Sequence, residues 1–175
     1  RYRELSAGIA GRLAERFGRH ENVLGWQIAN EFCYVSYDEP TRKLCDSLLS
    51  RYGVSTRYFD PRAGGDIAAL VGEKTRAVFL ESPGSLTFEL QDIPAISSAL
   101  SGRDVAVIID NSWATPLFYQ PLSLGADIVI HSGTKMFVGH SDAMLGTVSA
   151  NGKYWPQVLK TAHVLGIVAS PDDSF

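Results

Sequence analysis

VAVIID at residues 105–110 and DIVIHS at 127–132 decide the fold. Each is a short apolar run that closes on a polar residue, with no alternation of apolar and polar positions. A strand with one wet face alternates; a run that does not is covered on both faces, as parallel strands between two helical layers are. Working outward, AVFLE at 77–81 and MLGTVSA at 144–150 read the same way. Helical stretches lie between them: one near 65–71, one over Pro94–Leu100 with Asp92 as its cap, and one from about 153 to 166. Upstream, Pro40 opens a helix with Leu44, Leu48 and Leu49 as its apolar stripe and Gly53 as its stop, and STRYF at 55–59 reads as a short strand. Residues 2–17 carry Leu5, Ile9, Leu13 and Phe17 at one-turn spacing, an amphipathic helix, and VLGWQIA at 23–29 is a buried strand ending at Asn30-Glu31. The pattern predicts an α/β fold, a mostly parallel sheet with flanking helices.

Composition narrows the functional classes. The chain has 175 residues, 45% hydrophobic and 20% charged, which is globular composition for one domain or slightly more. Sixteen Lys+Arg against 19 Asp+Glu give a net charge of −3, which weighs against a nucleic-acid partner, because phosphate backbones are met by basic surfaces. No apolar run approaches the roughly 18 residues of a membrane span, and the opening RYRELSAGIAG has no signal-peptide core. Two cysteines, Cys33 and Cys45, make neither a disulfide framework nor a metal site, so the expectation is a reducing, cytoplasmic setting with no metal.

The chemistry concentrates at strand ends, where open parallel sheets gather ligands. Lys135 sits in HSGTKMFVGHSD, directly after the strand at 127–132. A desolvated lysine can form a Schiff base with an aldehyde, and Ser132, Gly133 and Thr134 offer hydroxyls and an adaptable backbone for a phosphate. The bland alternative is a surface lysine in a loop. Asp110 closes VAVIID and precedes Asn111-Ser112-Trp113. A carboxylate there needs a partner, and a pyridinium nitrogen is one; a turn or capping aspartate is the alternative. Asp110, then Lys135 after the next strand, is the order expected of a fold that binds pyridoxal 5′-phosphate. His131 and His140 flank Lys135 without a metal-ligand set, and Trp113 is either near the site or a core aromatic.

Four stretches carry a resemblance: PTRKLCDSLLSRYGVSTRYFDP, TRAVFLESPGSLTFELQDIPAI, VIIDNSWATPLF and HSGTKMFVGHSDAMLGTVSAN. Over about residues 38–175 the chain resembles the Cys/Met-metabolism family of pyridoxal-phosphate enzymes, its cystathionine beta-lyases above all. The resemblance implies part of the type I large domain of PLP-dependent transferases. It implies that Lys135 holds the cofactor and moves protons, that Asp110 partners the pyridine nitrogen, and that Ser132 and Thr134 contact the phosphate. It further implies a small amino-acid substrate, cleavage of L-cystathionine to homocysteine, pyruvate and ammonia in methionine biosynthesis, and homo-oligomers, dimers or tetramers. The chain stops at Phe175, before the family's small domain, so the expected activity is impaired by truncation.

The beginning of the chain reads differently. YRELSAGIAGRLAERFGRHENVLGWQIANEF, within residues 1–32, resembles the stretch around the acid/base glutamate of family 42 beta-galactosidases, which would make Glu31 that acid with Asn30 beside it. Such hydrolysis needs a second carboxylate from a barrel that one or two strands cannot close. The expected organisation is a glycoside-hydrolase-like helix-strand fragment over 1–33 and a partial PLP-binding large domain over 34–175. A glycoside hydrolase fragment, or a non-catalytic chimeric fragment, is the alternative to a lyase.

Overall fold

The computed structural model describes residues 43, 46, 47, 49–51, 53–84, 88–140 and 142–172. The expectations for 2–17, for 23–29, for Asn30, Glu31, Cys33 and Cys45, and for Pro40, Leu44 and Leu48 of the helix that follows lie outside these residues. By its contacts the chain divides into Arg1–Tyr58 and Phe59–Phe175.

In the first unit, Lys43, Asp46, Ser47, Leu49 and Ser50 are helical. The helix stops at Gly53 as its sequence predicts. The Gly53 N–H donates to the Ser50 carbonyl at 3.0 Å and the Val54 N–H to the Leu49 carbonyl at 3.1 Å, the paired closure of a Schellman motif. That closure places Gly53 at φ 72°, where a Cβ would be strained. The strand expected at 55–59 is absent: residues 54–60 carry no regular structure. An extended segment becomes a strand only with a ladder partner, and the Thr56 and Tyr58 hydroxyls instead donate to the Asp46 carboxylate.

The second unit is built on a four-stranded sheet in the order β1-β2-β3-β4, with β1 Ala77–Glu81, β2 Ala106–Asp110, β3 Ile128–Ser132 and β4 Gly146–Ala150. The first three are parallel: Glu81 lies opposite Asp110, and Asp110 opposite Ile130. The helices are α1 Ile93–Leu100, α2 Thr115–Phe118, α3 Gly133–Met136 and α4 Trp155–Leu165. As expected, Asp92 caps α1, its carboxylate accepting from the Ala95 N–H at 3.0 Å. The helix expected near 65–71 is a 3-10 helix at Gly64–Ala69. Two glycines at its start are poor helix formers, and only Ile67 of this segment is buried.

Both faces of the sheet are covered, which is why its strands do not alternate. Val78, Leu80, Val107, Ile109 and Val129 pack with Ile67 and with Ile93, Ile96 and Leu100 of α1. On the other face, Ala106 and Ile128 pack with Tyr154, joined by Ile108, Ala150 and Val158.

The fourth strand departs from the parallel expectation. β4 runs antiparallel to β3, with Ser132 opposite Gly146 and Ile128 opposite Ala150. A parallel return needs a crossover of a dozen residues or so that carries the chain to the far end of the sheet. Here the connection, among its described residues, holds only the single turn α3 and stays at the end where β3 finishes: the Thr134 N–H donates to the Leu145 carbonyl at 2.9 Å. Among the described residues, no helix is long and apolar enough to cross a membrane.

Candidate active site

The C-terminal ends of β2 and β3 deliver the two residues singled out in the sequence. Asp110 is the last residue of β2, and Lys135 lies in α3, the turn that begins where β3 ends. Because β2 and β3 are adjacent and parallel, both finish at the same edge. Both side chains are half-buried.

Each is positioned by its local backbone. One carboxylate oxygen of Asp110, Oδ1, accepts from the Ser112 N–H at 2.8 Å, an Asx turn that fixes the carboxylate against its own chain. The Ser112 hydroxyl oxygen in turn accepts from the Ser132 N–H at 2.6 Å, so the turn after β2 is bonded to the last residue of β3. Ser132 stands at the N-cap position of α3 and is half-buried. Gly133 is buried, and a Cβ there would lie 3.0 Å from the Leu145 carbonyl oxygen.

Thr134 is tied to the same loop. Its hydroxyl donates to the Leu145 carbonyl at 3.2 Å and accepts from the Leu145 N–H at 2.9 Å. Its one proton is therefore engaged, and donating to a phosphate would mean leaving Leu145. The structure thus brings Asp110, Ser132, Thr134 and Lys135 to one edge of the sheet.

Two further residues hold that edge, and neither was assigned a role from the sequence. Asn111, 1% exposed, donates from its backbone N–H to the Ile130 carbonyl at 2.9 Å. Its amide nitrogen Nδ2 donates to the Tyr119 carbonyl at 3.0 Å and faces His131 Nε2 at 3.2 Å. His131, 7% exposed, faces the Thr147 hydroxyl of β4 through Nδ1 at 3.3 Å. Burial pushes the His131 pKa below the ordinary imidazole value, while the Asp110 charge pulls it back up. The only sequence signal for this pair was polarity inside an apolar neighbourhood. Its two members are 20 residues apart, so no local pattern joins them.

His140 lies apart from this network. It pairs with Asp142 at 2.9 Å on an exposed loop. Trp113 is exposed rather than a core aromatic, and its ring meets Phe88 edge to face. No metal-binding group of His, Cys, Asp and Glu forms among the described residues.

The chain is similar to known proteins in sequence and in fold. Over 139 residues the chain is 41% identical to cystathionine beta-lyase MetC of Escherichia coli strain K12, covering 78% of this chain and 35% of that protein. Over 134 residues it is 31% identical to an L-alanine/L-glutamate racemase of Wolbachia pipientis wMel, covering 77% of this chain and 33% of that one. In three dimensions it matches cystathionine gamma-lyase of Lactobacillus plantarum, crystallised with L-serine, with a TM-score of 0.71 and 31% identity, covering 77% of this chain and 35% of that one. The chain therefore spans about a third of the length of these relatives.

These comparisons give no support to the beta-galactosidase resemblance over residues 1–32. The family match described as Cys/Met metabolism PLP-dependent enzyme runs over residues 28–175 and so takes in Glu31 as well as Asp110 and Lys135. The chain belongs to that family, whose cofactor is pyridoxal phosphate.

Proposed function

We propose that this chain carries the cofactor-binding core of a pyridoxal-phosphate-dependent carbon–sulfur lyase, with L-cystathionine as substrate and Lys135 as its catalytic residue. The observation that supports it is the delivery of Asp110 and Lys135 to one edge by adjacent parallel strands. The donor set fits the cofactor: an amine for its aldehyde, a carboxylate for its ring nitrogen, and the Ser132 hydroxyl for its phosphate, which the Thr134 hydroxyl would join on leaving Leu145. When bound, pyridoxal phosphate supplies an electron sink that stabilises negative charge on the substrate α-carbon.

The chain's own residues then act as follows. Asp110, its Oδ1 held on the Ser112 N–H, would be the carboxylate that pairs with the protonated ring nitrogen of the cofactor. A carboxylate in that position holds the proton on the nitrogen, because removing it would leave the charge unpaired. Lys135 Nζ would hold the cofactor through its aldehyde and would move the protons, taking one from the substrate α-carbon and returning one to the departing sulfur. The β3–β4 connection, held by Thr134 on Leu145, fixes the backbone from which Lys135 extends.

This reading places the protein in the cytoplasm, in amino-acid metabolism, as part of a homo-oligomer. The apolar side chains left open at the same edge support a covering partner: Phe118 at the end of α2 is 82% exposed, and Leu117 and Met144 are exposed with it.

The test is a titration of the purified chain with pyridoxal phosphate, followed by borohydride reduction and peptide mapping. The expected result is a visible absorption band and pyridoxyl mass on Lys135, both lost in Lys135→Ala. Scattered labelling of other lysines would overturn the reading. A racemase shares the same segment, so L-cystathionine and L-alanine are assayed side by side: pyruvate from the former supports the lyase, and racemisation of the latter without pyruvate refutes it.

A further inference from the structure

His131 carries chemistry that the proposed mechanism does not use. It is buried at the edge where β2 and β3 end, between the turn after β2 and the strand β4. The hydrogen bonds fix its proton. The Tyr119 carbonyl can only accept, so the Asn111 group facing it at 3.0 Å is the NH2, and the same NH2 meets His131 Nε2 at 3.2 Å. Nε2 must then accept, which puts the imidazole proton on Nδ1, where it donates to the Thr147 hydroxyl. This is a neutral imidazole locked in one tautomer, with one neighbour on each side.

The placement matters because of what lies next to it. Asn111 follows Asp110 directly, and Ser132 follows His131 at the start of the turn that bears Lys135. The neighbouring bonds, Asn111 N–H to Ile130 and Ser132 N–H to Ser112, join the same two chain segments. The Asn111–His131 contact lies between them as the side-chain rung of that ladder. An apolar pair of the same shape would take from the Tyr119 carbonyl the donor it has in Asn111, and Asn111 holds this contact although its own Oδ1 is buried with no partner among the described residues. Buried side-chain networks rigidify the groups they join and specify one arrangement of them.

We propose that His131 is a positioning residue: as a neutral imidazole clamped between Asn111 and Thr147, it sets the spacing between the turn bearing Asp110 and the turn bearing Lys135. Asp110 is the charged group that acts on it, from β2; β4 contributes the Thr147 hydroxyl, and the residue after α3 contributes the Phe137 ring, edge to face at 5.5 Å. The clamp belongs to the chain without cofactor. Its bearing on Lys135 rests on the function proposed above.

The experiment is nuclear magnetic resonance on the full 15N-labelled chain, with His131→Gln and His131→Leu beside it. Imidazole correlation spectra report the tautomer of each of the four histidines, and His131→Gln assigns the signal. The expected result is an Nδ1–H tautomer for His131 in the parent. Glutamine can still accept from Asn111, whereas leucine cannot. In His131→Leu, amide exchange at Asn111 and Ser132 is expected to be faster by about fivefold or more, with Ile109 in the core unchanged. In His131→Gln both stay near the parent rate.

With pyridoxal phosphate and borohydride, labelling of Lys135 should fall at least as far in His131→Leu and persist in His131→Gln. An Nε2–H tautomer overturns the proposal, as does parent-like exchange at Asn111 and Ser132 in His131→Leu. If His131→Leu does not fold, seen as loss of Ile109 protection, the parent tautomer and the His131→Gln exchange rates decide. If the parent takes no label on Lys135, the lyase reading fails, and the tautomer and exchange data still test the clamp.

Discussion

Replacing Gly133 by alanine tests how tightly the lysine-bearing turn is held. A Cβ at 133 would lie 3.0 Å from the Leu145 carbonyl oxygen, 3.1 Å from its Cγ and 3.2 Å from its Cδ2. The leucine side chain can rotate away; the carbonyl cannot, because it accepts from both the Thr134 N–H at 2.9 Å and the Thr134 hydroxyl at 3.2 Å. Thr134 is the next residue in the chain, so moving Leu145 away from Gly133 stretches bonds made by Gly133's own neighbour. Overpacking of this kind costs about 1–3 kcal/mol. Alanine regains at most about 1 kcal/mol of helix propensity, and less in a single turn. The net expectation is a loss of about 1–2 kcal/mol, read as a lower urea midpoint at unchanged slope. In a Leu145→Ala background the Cγ and Cδ2 contacts vanish while the carbonyl contact stays. The same substitution should then cost less but still cost something, with a coupling of about 0.5–1 kcal/mol. Gly133→Ala at or above parental stability would refute the reasoning, for it would show the Leu145 loop free to give way.

Three more outcomes follow from the same geometry. Gly125→Ala should destabilise by about 3 kcal/mol or more in urea unfolding, because Gly125 has φ 101° and a Cβ there would lie 2.8 Å from the Ser97 Cβ, whose hydroxyl donates to the Gly125 carbonyl at 2.6 Å. Asp92→Ala removes the cap on the Ala95 N–H and should cost about 1 kcal/mol, while Asp92→Asn restores most of it. For pH, the folded His131 pKa lies below the ordinary imidazole value, so its contribution is fully present above the unfolded pKa of about 6.5 and is lost as pH falls through the folded value. Urea midpoints of the parent should therefore decline on that acid side more steeply than those of His131→Gln; parallel pH profiles would contradict the burial of a neutral ring.

The strands were legible where the sequence records burial directly. VAVIID and DIVIHS run apolar without alternation because Val107 and Ile109 face α1 while Ala106 and Ile108 face the Tyr154 side. The direction of β4 was not legible from its own residues. MLGTVSA has the texture of its neighbours, and its antiparallel course is set by a connection that never leaves the end of the sheet. STRYF has the composition of a strand, but a strand is a relation between two segments, and no partner pairs with it among the described residues.

The site divides along the same line. Asp110 and Lys135 could be read from topology alone, since a polar residue that ends a buried parallel strand must emerge where the neighbouring strand emerges. Thr134 could be placed there but not partnered, because its bonds go to Leu145, 11 residues away and just before the returning strand. Asn111 and His131 are the limiting case. A buried polar side chain is costly on its own, so finding one within an apolar run predicts that a partner exists without saying which. The partner lies on the adjacent strand, and strand order and register, which local pattern does not determine, are what choose it. Residues whose chemistry reaches outward to a ligand are thus announced by where a strand ends, while residues that hold those ends in register become visible only once the sheet is assembled.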